Sequence, residues 1–212
     1  MFTGIVQGMA QVLTITGSDR LKTITLRFPE HALANLSQGA SIAINGVCLT
    51  VTRFDLSSSE ADFDVMQETL RVTNIGKLAV ADKVNFERAA SFGKEIGGHL
   101  MSGHVHTTVA LTRREEGADN VTLFFGSPDA LNKYLMPKGF VGLNGCSLTL
   151  GEAVAEEFCV HLIPETLHVT TFGDAQPGDL INLEIDPSTQ AIVDTVERYL
   201  NGRFNDQTPP RP

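Results

Sequence analysis

The sequence lacks long apolar runs, and none approaches the roughly 20 consecutive apolar residues that a membrane-spanning helix needs. It also lacks an excess of positive charge: 25 acidic residues outnumber 16 lysines and arginines, which gives a formal net charge of −9. This balance argues against nucleic acid or an anionic membrane as a partner, because both attract basic surfaces. The first six residues contain neither the basic region nor the apolar core of a signal peptide.

Cysteine is also scarce. The three cysteines, Cys48, Cys146 and Cys159, are odd in number and lack metal-ligand spacing, which favours a reduced, cytoplasmic compartment. Phosphate-binding glycine loops, Gly-x-Ser-x-Gly elbows and Rossmann fingerprints are absent, which argues against nucleotide-triphosphate and nicotinamide enzymes. The composition, 42% hydrophobic and 19% charged over 212 residues, is that of a globular protein with room for two domains of about 100 residues.

The sequence contains a duplication. Residues 45–51 read Asn-Gly-Val-Cys-Leu-Thr-Val, and residues 144–150 read Asn-Gly-Cys-Ser-Leu-Thr-Leu. Three further pairs of segments match in the same order, namely 4–6 with 103–105, 69–76 with 166–173 and 82–87 with 179–184. The offsets of 97 to 99 residues predict two similar domains that meet near residues 90–98, because two long copies are too few for a solenoid.

Short β-type segments, separated by turn residues at intervals of about 10–15 residues, indicate small barrels or sandwiches. The strands predicted in the first copy cover residues 23–28, 41–44, 47–54, 62–65 and 83–87. Short helices are predicted at 29–36 and at 127–136, where Pro128 suits a first helical turn.

A longer helix is predicted at residues 189–200. Its apolar residues share one stripe, which comprises Ile192, Val193, Val196, Tyr199 and Leu200. Asp186 or Ser188 is expected to cap this helix, and Gly202 is expected to end it. Residues 203–212 contain three prolines and are expected to be disordered.

Asn-Gly between alternating strands predicts a two-residue hairpin turn in each copy. The resulting register pairs Ala43 with Cys48 and Gly142 with Ser147. Alternation then places one uniformly apolar face on each hairpin, with Cys146 as a buried small side chain, and puts Cys48 and Ser147 at equivalent positions on the opposite face. That opposite face fits either a solvated side of the sheet or a functional surface, and the pattern alone leaves both interpretations open.

Other polar residues also have two interpretations. Three histidines lie within residues 99–106, and His104 and His106 share a strand face, but no carboxylate or cysteine with ligand spacing supports a metal site. His161 and His168 fit barrel histidines with internal hydrogen-bond partners. The pairs at 68–69 and 165–166, each Glu-Thr, fit either the polar ends of strands or ligand contacts.

Four motifs in order resemble the riboflavin synthase family: Met-Phe-Thr-Gly-Ile-Val at 1–6, Asn-Gly-Val-Cys-Leu-Thr-Val at 45–51, Gly-Gly-His-Leu-Met-Ser-Gly-His at 97–104 and Ile-Pro-Glu-Thr-Leu at 163–167. The resemblance runs from Met1 to about residue 204. It implies an all-β fold with short helices, in which two similar six-stranded Greek-key β-barrels precede a C-terminal α-helix. The implied parts are barrels at 1–97 and 98–187, a trimerisation helix at 188–202 and a disordered tail at 203–212.

The resemblance also implies the reaction. Two molecules of 6,7-dimethyl-8-ribityllumazine exchange a four-carbon unit and leave as riboflavin and 5-amino-6-ribitylaminouracil, without a metal or cofactor. Each barrel binds one lumazine, and the active site of the homotrimer lies between the N-terminal barrel of one subunit and the C-terminal barrel of its neighbour. Lumazine synthase is a further candidate partner.

Carried over by motif, the N-terminal pocket consists of Gly4, Ile5, Val6, Ser41, Cys48, Leu49, Thr50, Asp64, Val65, Met66, Gln67, Glu68 and Thr69. The C-terminal pocket consists of Gly103, His104, Val105, Lys138, Ser147, Leu148, Thr149, His161, Leu162, Ile163, Pro164, Glu165 and Thr166. The residues implied in the chemistry are Cys48, His104, Ser147 and Asp186.

The implied roles follow from residue type. His104 suits proton transfer, with Asp186 to orient it, and Ser147 or Cys48 could supply a nucleophile or activate water. Asn144 stands where the family pattern leads us to expect aspartate, so the resemblance supports no acid–base role there. The alternative is a non-catalytic, fluorescent lumazine protein, but such proteins tend to lose the C-terminal pocket motifs that are present in this sequence.

Overall fold

The first barrel is formed by the N-terminal copy. The computed structural model describes residues 1–93, 95–154 and 156–205. The elements of the first copy are β1 Gly8–Ser18, β2 Leu21–Arg27, β3 Ser41–Ile44, β4 Val47–Asp55, β5 Glu60–Met66, α1 Gln67–Val72 and β6 Lys83–Arg88. The strands pair antiparallel and close into a barrel in the order β1-β2-β5-β4-β3-β6.

The second copy builds the same barrel. Its elements are β7 Thr107–Glu116, β8 Val121–Gly126, β9 Phe140–Leu143, β10 Cys146–Ala153, β11 Glu157–Leu162, α2 Pro164–Val169, β12 Leu180–Ile185 and α3 Pro187–Asn205. The strands close in the order β7-β8-β11-β10-β9-β12, which repeats the order of the first barrel. The prediction of two duplicated six-stranded barrels followed by a helix is therefore confirmed.

Each barrel has its own apolar interior, because inward and outward residues alternate along the strands. In β4, Val47, Leu49 and Val51 are buried in the first core, and in β10, Cys146, Leu148 and Leu150 are buried in the second. The pairs Ala43–Cys48 and Gly142–Ser147 occur in the predicted register. Asn45 and Asn144 both have φ of 44°, and the glycine after each has φ of 80°, as the two-residue turn requires.

Several local predictions were wrong. Residues 29–36 form successive turns rather than a helix, because His31 and Asn35 have left-handed backbones (φ 66° and 56°) that interrupt a helix. Within 127–136 only a short 3₁₀-helix forms, at Asp129–Tyr134. The Glu-Thr pairs do not end strands: they lie in the first turns of α1 and α2, which have no side-chain capping bond at their N-termini.

The C-terminal helix is longer than predicted. The carboxylate of Asp186 accepts a hydrogen bond from Thr189 N at 2.9 Å, which confirms Asp186 as the cap. The helix continues through Gly202 to Asn205, so Gly202 does not end it and residues 203–205 are helical instead of disordered. The remainder of the predicted tail, 206–212, lies outside the described residues. None of the helices in the described ranges is both long and apolar enough to cross a membrane.

The two barrels meet through buried asparagines that occupy equivalent places in the two copies. Asn85 Nδ2 donates to Asn144 O at 3.0 Å, and Asn182 Nδ2 donates to Asn45 O at 2.8 Å. Asn144 Oδ1 in turn accepts from Asn182 N at 2.9 Å. Asn144 is buried in this interface, where its Oδ1 also accepts from Asn74 Nδ2 of the first barrel at 2.9 Å, so the structure gives it a structural role and no exposed acid–base position.

The two hairpin turns touch back to back at this interface. A Cβ atom at Gly145 would lie 2.7 Å from Gly46 N and 2.9 Å from Gly46 Cα, which is closer than a side-chain carbon can approach backbone. The two glycines therefore serve close approach as well as positive φ.

We expect Gly145→Ala to lower the free energy of unfolding by about 3 kcal/mol, from positive-φ strain plus overpacking at the interface. Gly39→Ala is the matched control, because Gly39 has a similar φ of 83° but nothing within 4 Å of the added Cβ. It should cost only about 1 kcal/mol. Urea unfolding of both variants measures the difference, and equal losses would show that the contact between the turns contributes nothing.

Candidate active site

Two glycine-containing segments connect the barrels by crossing from one to the other. We call residues 2–6 the N-terminal strap and residues 101–105 the inter-barrel strap. They pair with each other through an antiparallel bridge, in which Phe2 N donates to Met101 O at 2.9 Å and Met101 N donates to Phe2 O at 3.0 Å. Beyond this bridge each strap lies on the hairpin of the other barrel.

The contacts of the straps are exchanged between the two copies. Gly4 O accepts from Ser147 N at 2.8 Å, on the C-terminal barrel, whereas Gly103 O accepts from Cys48 N at 2.9 Å, on the N-terminal barrel. Val6 packs against the core of the C-terminal barrel. Each strap therefore belongs to the surface built by the opposite copy.

This exchange corrects the grouping made from the sequence. Residues 4–6 were assigned to the N-terminal pocket, and residues 103–105 to the C-terminal pocket, but their contacts place them the other way round. Both glycines have positive φ, 72° at Gly4 and 79° at Gly103. A Cβ at Gly4 would lie 2.5 Å from Ser147 Cβ, and one at Gly103 would lie 2.6 Å from Cys48 Cβ, so strap backbone lies directly on each of these two side chains.

Ser147 has a buried histidine beside it. His99 Nδ1 lies 2.6 Å from Ser147 Oγ, and the imidazole stacks on Phe140 with ring centroids 5.1 Å apart. Burial lowers the pKa of His99, an effect that the charges of Asp186 and Glu184 partly oppose. The lowered pKa favours the neutral ring at neutral pH. In the tautomer with its proton on Nε2, the ring accepts a hydrogen bond from Ser147 Oγ at Nδ1, and Nε2 has no hydrogen-bond partner within the described part of the chain.

Cys48 has a different environment at the equivalent position. It is half-buried and packs with Phe2, Ala43 and Met101 in a small apolar cluster between the straps and the hairpin. The straps cover the part of this face that carries Cys48 and Ser147, whereas Thr50 and Thr149, farther along the same face, are exposed. The cysteine of one copy has apolar neighbours, and the serine of the other has a histidine as its hydrogen-bond partner.

Asp186 and His104 do not form the pair expected from the sequence. Asp186 accepts hydrogen bonds from Thr189 N and Oγ1 at 2.9 and 2.7 Å. Although burial acts to raise its pKa, these bonds hold the pKa of Asp186 below its ordinary value, and its charge acts on His99. His104 is exposed, and its backbone N–H donates to Ser102 Oγ at 3.1 Å. The sequence analysis did not select His99 as a candidate site residue, because its hydrogen-bond partner Ser147 lies 48 residues away in the chain.

The three histidines of residues 99–106 face different partners. While His99 contacts Ser147, His106 accepts from Ile185 N at Nδ1 (3.3 Å), and its Nε2 lies 3.2 Å from Gln190 Oε1. Both ring nitrogens of His106 are therefore used within the fold. Over residues 1–93, 95–154 and 156–205, no group of three or more histidine, cysteine, aspartate or glutamate side chains has the arrangement of a metal site.

The other predicted pocket residues lie in two positions. Four aliphatic side chains point into the barrel cores, so only their backbones can reach a ligand: Leu49, Val65, Leu148 and Leu162. Exposed or half-buried side chains lie along β3–β5 and α1 in the first copy and their equivalents in the second: Ser41, Thr50, Asp64, Met66, Gln67, Glu68, Thr69, Lys138, Thr149, His161, Ile163, Pro164, Glu165 and Thr166.

Cys48→Ser should strongly reduce turnover without unfolding the protein, because the change replaces a half-buried thiol of the candidate site by a smaller hydroxyl on a side chain of the same shape. Cys146→Val is the control: its side chain faces the core, and burial, with a smaller contribution from the Glu87 charge, raises its pKa to about 12. Valine fills the same apolar space, so activity should stay near wild type. Equal losses of turnover in the two variants would contradict the assignment of faces.

Comparisons with known proteins identify the family of this chain. The family model described as Lumazine binding domain matches twice, at residues 3–89 and 102–186. The riboflavin synthase of Escherichia coli (strain K12) is 50% identical over 211 residues, covering 99% of this chain and 98% of the relative. The riboflavin synthase of Chlamydia pneumoniae is 40% identical, and the match covers 94% of this chain and 97% of that relative.

Solved structures show the same fold. LumP complexed with riboflavin has a TM-score of 0.79 and 27% identity, covering 87% of this chain and 99% of that chain. LumP complexed with 6,7-dimethyl-8-(1'-D-ribityl) lumazine has a TM-score of 0.78 at 24% identity, with the same coverage. Because two lumazine-binding domains match and the relatives are similar along nearly their whole length, this chain belongs to the riboflavin synthase family.

Proposed function

We propose that this enzyme transfers a four-carbon unit between two molecules of 6,7-dimethyl-8-ribityllumazine, forming riboflavin and 5-amino-6-ribitylaminouracil. The observation that carries the proposal is the pair of equivalent surfaces with different chemistry at the same position, where Ser147 lies beside His99 in one and Cys48 lies among apolar side chains in the other. Identical substrates with different fates need similar pockets with different chemistry. The two products together contain the atoms of two substrates, so the reaction consumes no oxidant, reductant or cofactor.

Each barrel, completed by the strap of the other copy, would bind one lumazine. We assign residues 1–97 and 98–187 to the two lumazine-binding domains, with the N-terminal strap in the C-terminal pocket and the inter-barrel strap in the N-terminal pocket. The hydrogen bonds from Ser147 N to Gly4 and from Cys48 N to Gly103 support this exchange.

The chemistry requires one lumazine to lose a proton from its 7-methyl group and the other to accept attack by the resulting carbon. His99, kept neutral by burial, accepts at Nδ1 the proton that Ser147 gives up, so this pair moves a proton in the C-terminal pocket. Cys48 and His104 act from the N-terminal pocket, and Asp186 acts through its charge on His99. Holding the two rings face to face supplies about 7–11 kcal/mol of the barrier reduction.

The active unit would be a homotrimer assembled through α3. One residue of its apolar stripe, Val193, packs against the C-terminal barrel of the same chain, but Ile192 at 66% and Val196 at 50% stay exposed in the single chain. An apolar stripe of this extent needs a partner. We propose that the partners are the α3 helices of two further copies, so that unlike barrels of neighbouring subunits face each other across the substrates.

Two features of the cellular setting belong to the same proposal. With three unpaired cysteines in the fold, we place the protein in a reducing cytoplasm. We further propose lumazine synthase as a partner, since an enzyme that supplies the lumazine would shorten the path of the substrate.

The test is incubation of the purified protein with the lumazine alone, following riboflavin absorbance with and without a chelator. We expect one riboflavin for every two lumazines consumed and no effect of the chelator. Tight, fluorescent lumazine binding without product would indicate a non-catalytic lumazine protein. The 50% identity to a riboflavin synthase over nearly the whole chain favours turnover.

A further inference from the structure

A buried glutamate holds the N-terminal strap. Glu87, on β6 of the N-terminal barrel, is 4% exposed and binds two consecutive residues of the strap. Its Oε1 accepts from Thr3 N at 2.7 Å and from Thr3 Oγ1 at 2.8 Å, and its Oε2 accepts from Gly4 N at 2.9 Å. Burial raises the pKa of Glu87, although these hydrogen bonds act to lower it. Keeping the buried side chain ionised therefore costs free energy.

The second copy repeats this arrangement. Glu184, on β12 of the C-terminal barrel, is 1% exposed. Its Oε1 accepts from Ser102 N and Ser102 Oγ, both at 2.7 Å, and Gly103 N lies 3.2 Å from Oε2. The two buried carboxylates occupy equivalent places in the two copies. Each accepts hydrogen bonds from two consecutive backbone N–H groups and from one hydroxyl. Because burying a carboxylate costs free energy, its occurrence in both copies indicates that the two glutamates have the same role.

The strap glycines are the links between these glutamates and the reactive side chains. Gly103 receives a hydrogen bond from Cys48 N at its carbonyl and gives one to Glu184 at its N–H. Gly4 connects Ser147 N to Glu87 in the same way. One glycine residue thus bridges the carboxylate of one barrel and the reactive residue of the other.

We propose that Glu184 is the positioning residue for the Cys48 surface and Glu87 for the Ser147 surface, so that each pocket is held in shape by a carboxylate of the opposite barrel. The strap backbone directly covers the reactive side chain, and the carboxylate fixes that backbone at two adjacent amides. The consequence for catalysis rests on the proposed function, but the positioning itself is a property of the fold and can be measured without turnover.

Cys48 provides the readout. It is half-buried, whereas Cys146 and Cys159 are buried, so a small thiol reagent should label Cys48 first. Because Gly103 lies on Cys48, loosening the inter-barrel strap should expose the sulfur. We expect Glu184→Gln to raise the labelling rate of Cys48 by about tenfold, since a carboxylate that accepts several hydrogen bonds is lost from the closed state.

The matched variant is Glu87→Gln. Glu87 lies in the same barrel as Cys48, yet it binds the N-terminal strap at Thr3 and Gly4, beside Ser147. Phe2, the residue of this strap that packs with Cys48, is held separately by its backbone bridge to Met101, so labelling should rise by less than about twofold. Ser102→Ala and Thr3→Ala form a milder pair, because each removes one hydroxyl that donates to Glu184 or to Glu87, respectively. The labelling rate of Cys48 should again rise more in the variant on the Glu184 side, Ser102→Ala. Cys48→Ser, in each background, gives the labelling rate of the buried thiols.

The order of the rates decides the proposal. A larger increase in Glu184→Gln than in Glu87→Gln, at similar melting temperatures, supports control from the opposite barrel. Equal increases would mean that both glutamates only stabilise the fold, and a larger increase in Glu87→Gln would mean that each barrel controls its own pocket; either result overturns the proposal. Riboflavin formation, measured separately on the wild type, tests the proposed function, and its absence would leave the labelling result intact.

Discussion

Ser147→Ala should lower the kcat for riboflavin formation by about two to three orders of magnitude, the range expected when a positioned proton-transfer group is lost. The side chain is half-buried and hydrogen-bonded to a single partner, His99 Nδ1 at 2.6 Å, so its removal should leave the fold intact. His99→Gln should reduce kcat by a similar factor, because glutamine cannot take up the serine proton. Stopped assays of riboflavin absorbance, with lumazine binding measured on the same preparations, separate turnover from affinity.

Two controls make this result specific. If Ser147 and His99 act as a unit, the double variant should be no slower than either single variant. His106→Gln changes a histidine of the same segment, whose nitrogens contact Ile185 and Gln190, and should alter kcat by less than about twofold. Additive losses in the double variant would show that the hydrogen bond between Ser147 and His99 has no part in turnover.

The pH dependence follows from the lowered pKa of His99. In the unfolded chain His99 titrates near its ordinary value of 6.5, and burial places its folded pKa below that value. Between the two values the unfolded state binds more protons, so stability rises with pH there and is lost as the pH falls from 6.5 towards the folded pKa. We expect His99→Gln to flatten this slope in urea-unfolding titrations, whereas an unchanged slope would assign it to other groups.

The sequence predicted the hairpins because their information is local. Asn45-Gly46 fixes a turn type, the turn fixes the register, and alternation then decides which side chains enter the core. The same logic placed Cys146 inside and Ser147 outside. The closure of each barrel follows less directly from the sequence. Two matching copies with the same spacing of short strands are nevertheless compatible with few folds other than small barrels or sandwiches.

The exchange of the straps could not be predicted in this way. A glycine-containing segment carries no periodic pattern that says which barrel it packs on, and Gly4 reaches Ser147 across most of the chain. The neutral His99 is another long-range result, because its protonation depends on burial that only the assembled barrels provide. The six-residue helices α1 and α2 lack side-chain capping bonds at their N-termini, and only α2 has a start signal in its sequence, Pro164 at its first position.

Removing residues 189–212 should release monomers whose barrels remain folded, because the deletion contains no strand. Both cores lie inside closed barrels, and the loss of Val193 uncovers only a small part of the second one. The monomer should still bind lumazine at its N-terminal pocket, which is formed by one barrel and the inter-barrel strap of the same chain. Sedimentation and lumazine fluorescence on one preparation measure both properties, with removal of 206–212 alone as the control that keeps the described helix.

The same truncation should lower riboflavin formation by about three orders of magnitude or more, because in the proposed mechanism the two rings are held against each other by facing pockets that belong to neighbouring subunits. Ile192→Asp gives an independent route to the monomer, since it places a charge in the exposed stripe and leaves the Val193 contact in place. Ile192→Asp, which keeps α3, should regain part of its activity as protein concentration rises, as expected for association that completes the site, whereas the truncated chain should not. A monomer that kept full turnover on dilution would place both halves of the active site in one chain, and the between-subunit mechanism would then be wrong.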